Sequence, residues 1–106
     1  LGLPFVRDLR ERYGLGLALH TAYAGWQSTV GYPEEARRLD ANGQRLGDPA
    51  LYNNLCNASR QYIEAKVAHL LTVCEQGLEF VMLDGAAHPG PCHDTAHGHT
   101  ALAHEA

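Results

Sequence analysis

The side chains able to do chemistry crowd into the last third of this 106-residue chain. The run Leu78-Glu79-Phe80-Val81-Met82-Leu83-Asp84-Gly85 is apolar until it ends in a carboxylate and a glycine. A hydrophobic strand that delivers an acid to the mouth of a loop is how an open α/β sheet or a barrel presents a catalytic residue. If Phe80 and Met82 share a face, the two-residue period puts Asp84 on that face, at the carboxyl end. There it could act as nucleophile, general base or metal ligand. The competing reading is an Asp-Gly turn with no chemistry.

The loop that follows, His88-Pro89-Gly90-Pro91-Cys92-His93-Asp94-Thr95-Ala96-His97-Gly98-His99, is rich in the donors zinc prefers. His97-x-His99 is a spacing that metals use, but neither Cys-x2-Cys nor His-Glu-x-x-His occurs. The expectation is therefore a substrate-lining loop of neutral histidines, with no resident metal and no cofactor; zinc is the rival reading. Cys74 lies on the apolar stripe of a helix and reads as a buried thiol. Cys56 and Cys92 both follow strands in loops and could either pair or stay free.

These residues need elements to hold them. Residues 4–13 predict a helix, with Pro4 at its first position, Phe5, Val6, Leu9 and Tyr13 on one face, and Gly14 beyond its end. Leu15–His20 predicts a strand buried on both faces, with Gly16 and Ala18 on the crowded side and His20 at the carboxyl end. Residues 21–56 form a long excursion, expected to hold a helical turn after Pro33 and a hairpin over Leu39–Leu46 around Asn42-Gly43. Residues 57–76 predict the longest helix, capped by Asn57 or Ser59 and buried along Ile63, Val67, Leu70, Leu71 and Cys74. The strand Leu78–Leu83 then completes a right-handed βαβ unit.

Composition bounds the function. A net charge of −4 without a basic patch argues against nucleic acid. No apolar run is long enough to span a membrane. The first residues, Leu1-Gly2-Leu3-Pro4, and the His-rich end do not resemble natural termini, so a piece of a longer protein is expected.

Three stretches together resemble a family: Tyr13-Gly14-Leu15-Gly16-Leu17-Ala18-Leu19-His20, Leu55-Cys56-Asn57-Ala58-Ser59, and Gly77-Leu78-Glu79-Phe80-Val81-Met82-Leu83-Asp84-Gly85. Their order is similar to that in the α-galactosidase-type (melibiase-like) glycoside hydrolases, which are (β/α)8 barrels. The likeness covers most of residues 3–85. It implies that residues 1–106 are a partial TIM-barrel catalytic domain, with two parallel strands, flanking helices and a long active-site loop. It also implies a retaining glycosidase with Asp84 as nucleophile and a carbohydrate substrate. Met82 departs from the family, which often has a lysine there. Around the sugar the expected contacts are His20, Tyr23, Trp26, His97 and His99; the alternatives are a satisfied interior His20 and a Trp26 that anchors the loop on the barrel rim. Retention needs a second carboxyl about 5–5.5 Å away. Neither Glu79 nor the Glu34-Glu35 pair suits that role, so the general acid is expected outside this chain. The compartment is not legible, with a secreted or periplasmic setting favoured. A zinc hydrolase barrel using His20, Asp84 and the late histidines, and a non-catalytic carbohydrate-binding relative, are the other two hypotheses.

Overall fold

The computed structural model describes residues 3–22, 29–47, 54–84 and 90–100. They form a small α/β unit with the order α1 (Leu3–Tyr13), β1 (Leu17–Ala22), α2 (Arg60–Glu75) and β2 (Leu78–Asp84). The expected parallel pairing of β1 with β2 is present. Leu17 pairs with Leu78; an irregularity then leaves Glu79 as an extra residue, and Ala18–Ala22 run in step with Phe80–Asp84. From there alternation sets Ala18, His20, Ala22, Phe80, Met82 and Asp84 on one face. Leu19, Thr21 and Val81 take the other face, beneath α2, where a cavity of about 260 Å³ lies between helix and sheet.

Helix α2 starts where its sequence allows. Ser59 holds an extended backbone and its Oγ accepts from the Tyr62 amide at 3.3 Å, which makes it the N-cap. The helix ends at Gly77, whose φ of 98° turns the chain into β2. A Cβ at Gly77 would stand 2.9 Å from Val6 Cγ1, so this glycine also seats α1. Arg10 of α1 adds a hydrogen bond to the Gly77 carbonyl and an ion pair with Glu79. Among the described residues, no helix is long and apolar enough to cross a membrane.

Several expectations are corrected. β1 begins at Leu17, two residues later than predicted, because Leu15 bonds back to Leu9 and Gly14 to Arg10 in the helix-ending turn. On α1, Val6 is buried while Phe5 and Tyr13 are exposed. The largest correction concerns α2. Ile63, Val67, Leu71 and Cys74 lie on its exposed side, and the residues it buries are Tyr62 and Lys66. The phase is set by packing rather than by apolar content. Tyr62 stacks on Tyr32 with ring centroids 5.3 Å apart, inside a cluster with Ala36 and Leu55. Lys66 swings back over β1, donating to Thr21 Oγ1 at 3.0 Å and to the Ala22 carbonyl at 2.7 Å.

The described part of the excursion is well built. A 3₁₀ turn covers Glu34–Ala36 as expected after Pro33. Ala36 to Arg38 lies antiparallel to Asn54–Cys56, with Cys56 N donating to Ala36 O and Arg38 N to Asn54 O. The hairpin closes through a Leu39–Arg45 bridge. Its positive φ falls on Gly43, at 77°, and the Asp40 carboxylate accepts from the Asn42 and Gln44 amides. Among the described residues, the most deeply buried positions gather here. Ala36, Leu55, Cys56, Ser59 and Cys92 have no exposed surface, whereas most of the sheet face bearing Phe80 and Met82 is open to solvent.

Candidate functional site

Two sets of functional side chains emerge. The first stands at the carboxyl ends of the parallel strands. His20 Nε2 lies 2.9 Å from Asp84 Oδ2, across a diagonal of the register, on the face away from α2. The contact joins residues 64 apart, and both side chains remain more than half exposed, at 59% and 68%. In that setting the contact itself adds at most about 1 kcal/mol to stability. Its value is geometric: the contact fixes the imidazole of one strand against the carboxylate of the next.

The second set lies deeper, with both thiols buried and both histidines partly so. Cys56, Cys92, His97 and His99 converge so that one donor atom from each lies within 4.8 Å of all the others. Three separate pieces of chain supply them. Cys56 sits at the end of the antiparallel pairing with Ala36, just ahead of the α2 cap. Cys92 lies next to His93, whose amide is held by the Leu39 carbonyl at 3.0 Å. His97 closes the 3₁₀ turn Thr95–His97, capped by Asp94 through the Ala96 amide. Gly98, at φ 76°, then turns the chain so that His99 comes back beside His97, with ring centroids 5.7 Å apart.

Both cysteines are free thiols, which answers the pairing question left open by the sequence. Cys74, expected to be buried, is exposed. Burial pushes the Cys56 thiol up to about 11; the amides of Ala58 and Ser59 pull the other way, and Cys92 beside it adds to the rise. Asp94 is buried too, and that works against its ionisation. The Ala96 amide, the Arg45 guanidinium and His97 together outweigh burial and hold its carboxyl below the ordinary value.

Of the predicted site residues, His20 and Asp84 meet each other, and His97 and His99 meet the two thiols. Among the described residues the Cys56–Cys92–His97–His99 group is the one set of three or more such donors close enough to share an ion, and it includes neither His20 nor Asp84. Tyr23 and Trp26 lie outside the described residues. Sequence reasoning missed the joining of Cys56 to His99, 43 residues away, and the burial of Lys66. The only hint of the former was the count of donors, two thiols and two imidazoles in irregular chain.

Compared with protein families, curated proteins and solved structures, the chain matches none.

Proposed function

We propose that this chain is part of a (β/α)8-barrel glycoside hydrolase and carries its catalytic carboxylate, Asp84. The observation that supports the reading is the His20–Asp84 pair, 2.9 Å apart at the carboxyl ends of adjacent parallel strands and on the face opposite α2. In a barrel the helices cover the outside, and the strand ends opposite them surround the substrate. The open apolar surface of Phe80 and Met82 beside Asp84 fits a face that further strands of the barrel would close.

In this reading Asp84 attacks the anomeric carbon and forms a glycosyl ester. His20 donates its Nε2 proton to Oδ2, which holds the rotamer of the attacking carboxylate. A second carboxyl from outside this chain protonates the leaving oxygen and then activates water.

The test is covalent trapping. A 2-deoxy-2-fluoro glycosyl fluoride slows hydrolysis of the ester, so a nucleophile becomes visible by mass as a sugar-bearing peptide. In the complete protein the adduct is expected on Asp84 and absent from Asp84→Asn. An adduct on another acid, or unchanged turnover of aryl glycosides by Asp84→Asn, overturns the assignment.

A further inference from the structure

We infer that Cys56, Cys92, His97 and His99 form a structural zinc site. Its residues are separate from the strand tips, and it stands or falls independently of the glycosidase reading.

The distances carry the first part of the argument. A tetrahedral zinc ion with sulfur at about 2.3 Å and nitrogen at about 2.0–2.1 Å sets its ligand atoms about 3.3–3.8 Å from one another. Cys56 Sγ lies 3.2 Å from His99 Nε2, and Cys92 Sγ lies 3.5 Å from His97 Nδ1. All four donors fit within 4.8 Å. Small movements of side chains would bring such a set onto one ion.

The tautomers carry the second part. His97 Nε2 lies 2.7 Å from the Glu35 carbonyl oxygen. A carbonyl can only accept, so Nε2 holds the proton and the lone pair sits on Nδ1, the nitrogen that faces Cys92. His99 repeats the logic with its nitrogens exchanged. Its Nδ1 lies 2.7 Å from the Thr100 carbonyl oxygen, so the lone pair sits on Nε2, which faces Cys56. Each imidazole is thus anchored through its outer N–H with the lone pair of its inner nitrogen turned toward a thiol, the arrangement that orients a metal-bound histidine. Asp94 Oδ2, 3.3 Å from His97 Nε2, adds a carboxylate to that outer shell.

Burial decides against the alternatives. A nucleophilic Cys–His pair needs an accessible, ionised sulfur. Cys56 and Cys92 have no exposed surface. An S2N2 donor set is one that selects zinc among the common divalent ions, and four protein donors leave no position for water, which makes the site structural rather than catalytic. The ion would tie the antiparallel piece ending at Cys56 to the loop that follows β2.

Cobalt reads the geometry directly. The full chain, reduced and stripped with a chelator, is titrated with Co2+ and then Zn2+. The expected result is one cobalt per chain, strong visible bands of a tetrahedral ion, a near-ultraviolet thiolate-to-cobalt band, and bleaching of both by one equivalent of zinc. His99→Gln should weaken cobalt binding at least tenfold, and Cys92→Ser should remove the charge-transfer band or halve it; Cys74→Ser should change nothing. Since Cys92→Ser could unfold a fully buried position, the half-buried His99→Gln is the deciding variant, with circular dichroism confirming its fold. A weak octahedral spectrum, full binding in His99→Gln, or a Cys56–Cys92 disulfide in the reduced preparation overturns the site.

Discussion

Lys66 Nζ, midway along α2, lies 2.7 Å from the carbonyl oxygen of Ala22, the last residue of β1. Its second partner is Thr21 Oγ1, at 3.0 Å. One cation therefore ties the long helix to the end of the strand that carries His20. A charged donor bonded in this way contributes about 1.5–3 kcal/mol, and Lys66→Met should lower stability by about that amount in urea unfolding.

The same residue gives a pH dependence of defined sign. Burial lowers the pKa of Lys66 below its ordinary value of 10.5. Between the folded value and 10.5 the unfolded chain binds more protons, so stability rises with pH across that window. Below the window the cost of burying the charge is present in full. The stability gap between the native chain and Lys66→Met should accordingly widen as pH climbs toward 10.5. A gap that stays constant with pH contradicts the lowered pKa.

Ser59→Ala tests what starts α2. Ser59 is wholly buried and its Oγ both accepts from the Tyr62 amide and donates to Gln61 Oε1. Removal of an N-cap hydroxyl costs about 0.5–2 kcal/mol. The thermal midpoint of Ser59→Ala should therefore fall by several degrees, given that about 1 kcal/mol shifts a domain of this size by about 4–8 °C. Gly77→Ala should cost at least as much. It adds a strained φ to a collision with Val6.

Thiol accessibility separates the three cysteines. Cys74 is exposed, whereas Cys56 and Cys92 are buried and burial raises the Cys56 pKa. A disulfide reagent at pH 8 should titrate Cys74 at once and the other two only as the chain opens. In denaturant all three should react together. Fast modification of Cys56 or Cys92 in the folded chain would contradict their placement.

These particulars show which features the sequence made legible. The strand ending at Asp84, the helix over 60–75, the hairpin at Gly43 and the parallel pairing were all readable, because periodicity and turn chemistry are local. The buried face of α2 was not. Apolar residues occur around much of that helix, and the Tyr32–Tyr62 contact and the Lys66 tether, both long-range, choose among them. At the strand tips, Asp84 and His20 were legible from alternation and position. The thiol–imidazole cluster was not, because Cys56 and His99 are joined across irregular backbone that no spacing rule describes. Nor does composition distinguish a histidine lining a substrate loop from one anchored through its outer nitrogen to the Glu35 carbonyl.

Metal removal should reveal where this fold keeps its stability. The sheet leaves Phe80, Met82 and Leu83 about half exposed, while the packed residues gather around Leu55, Cys56, Tyr62 and Cys92. Among the described residues the buried core is small, and a small domain with a limited core is the kind that relies on a staple. An ion bound at a thousandfold excess over its dissociation constant stabilises the folded state by about 4 kcal/mol. For a chain of this size that corresponds to a melting-point difference of roughly 15–30 °C between zinc-loaded and chelator-treated protein. The loss should be local as well as global. Hydrogen exchange after chelation should rise first at the amides of Cys56, His93 and His97, which are bonded to Ala36, Leu39 and Asp94 around the site. Amides of the β1–β2 ladder should respond later, since that pairing is made without the ion. Uniform exchange over both regions would place the metal, if bound, outside this cluster. An unchanged melting point would show that the four donors hold the loop by hydrogen bonds alone.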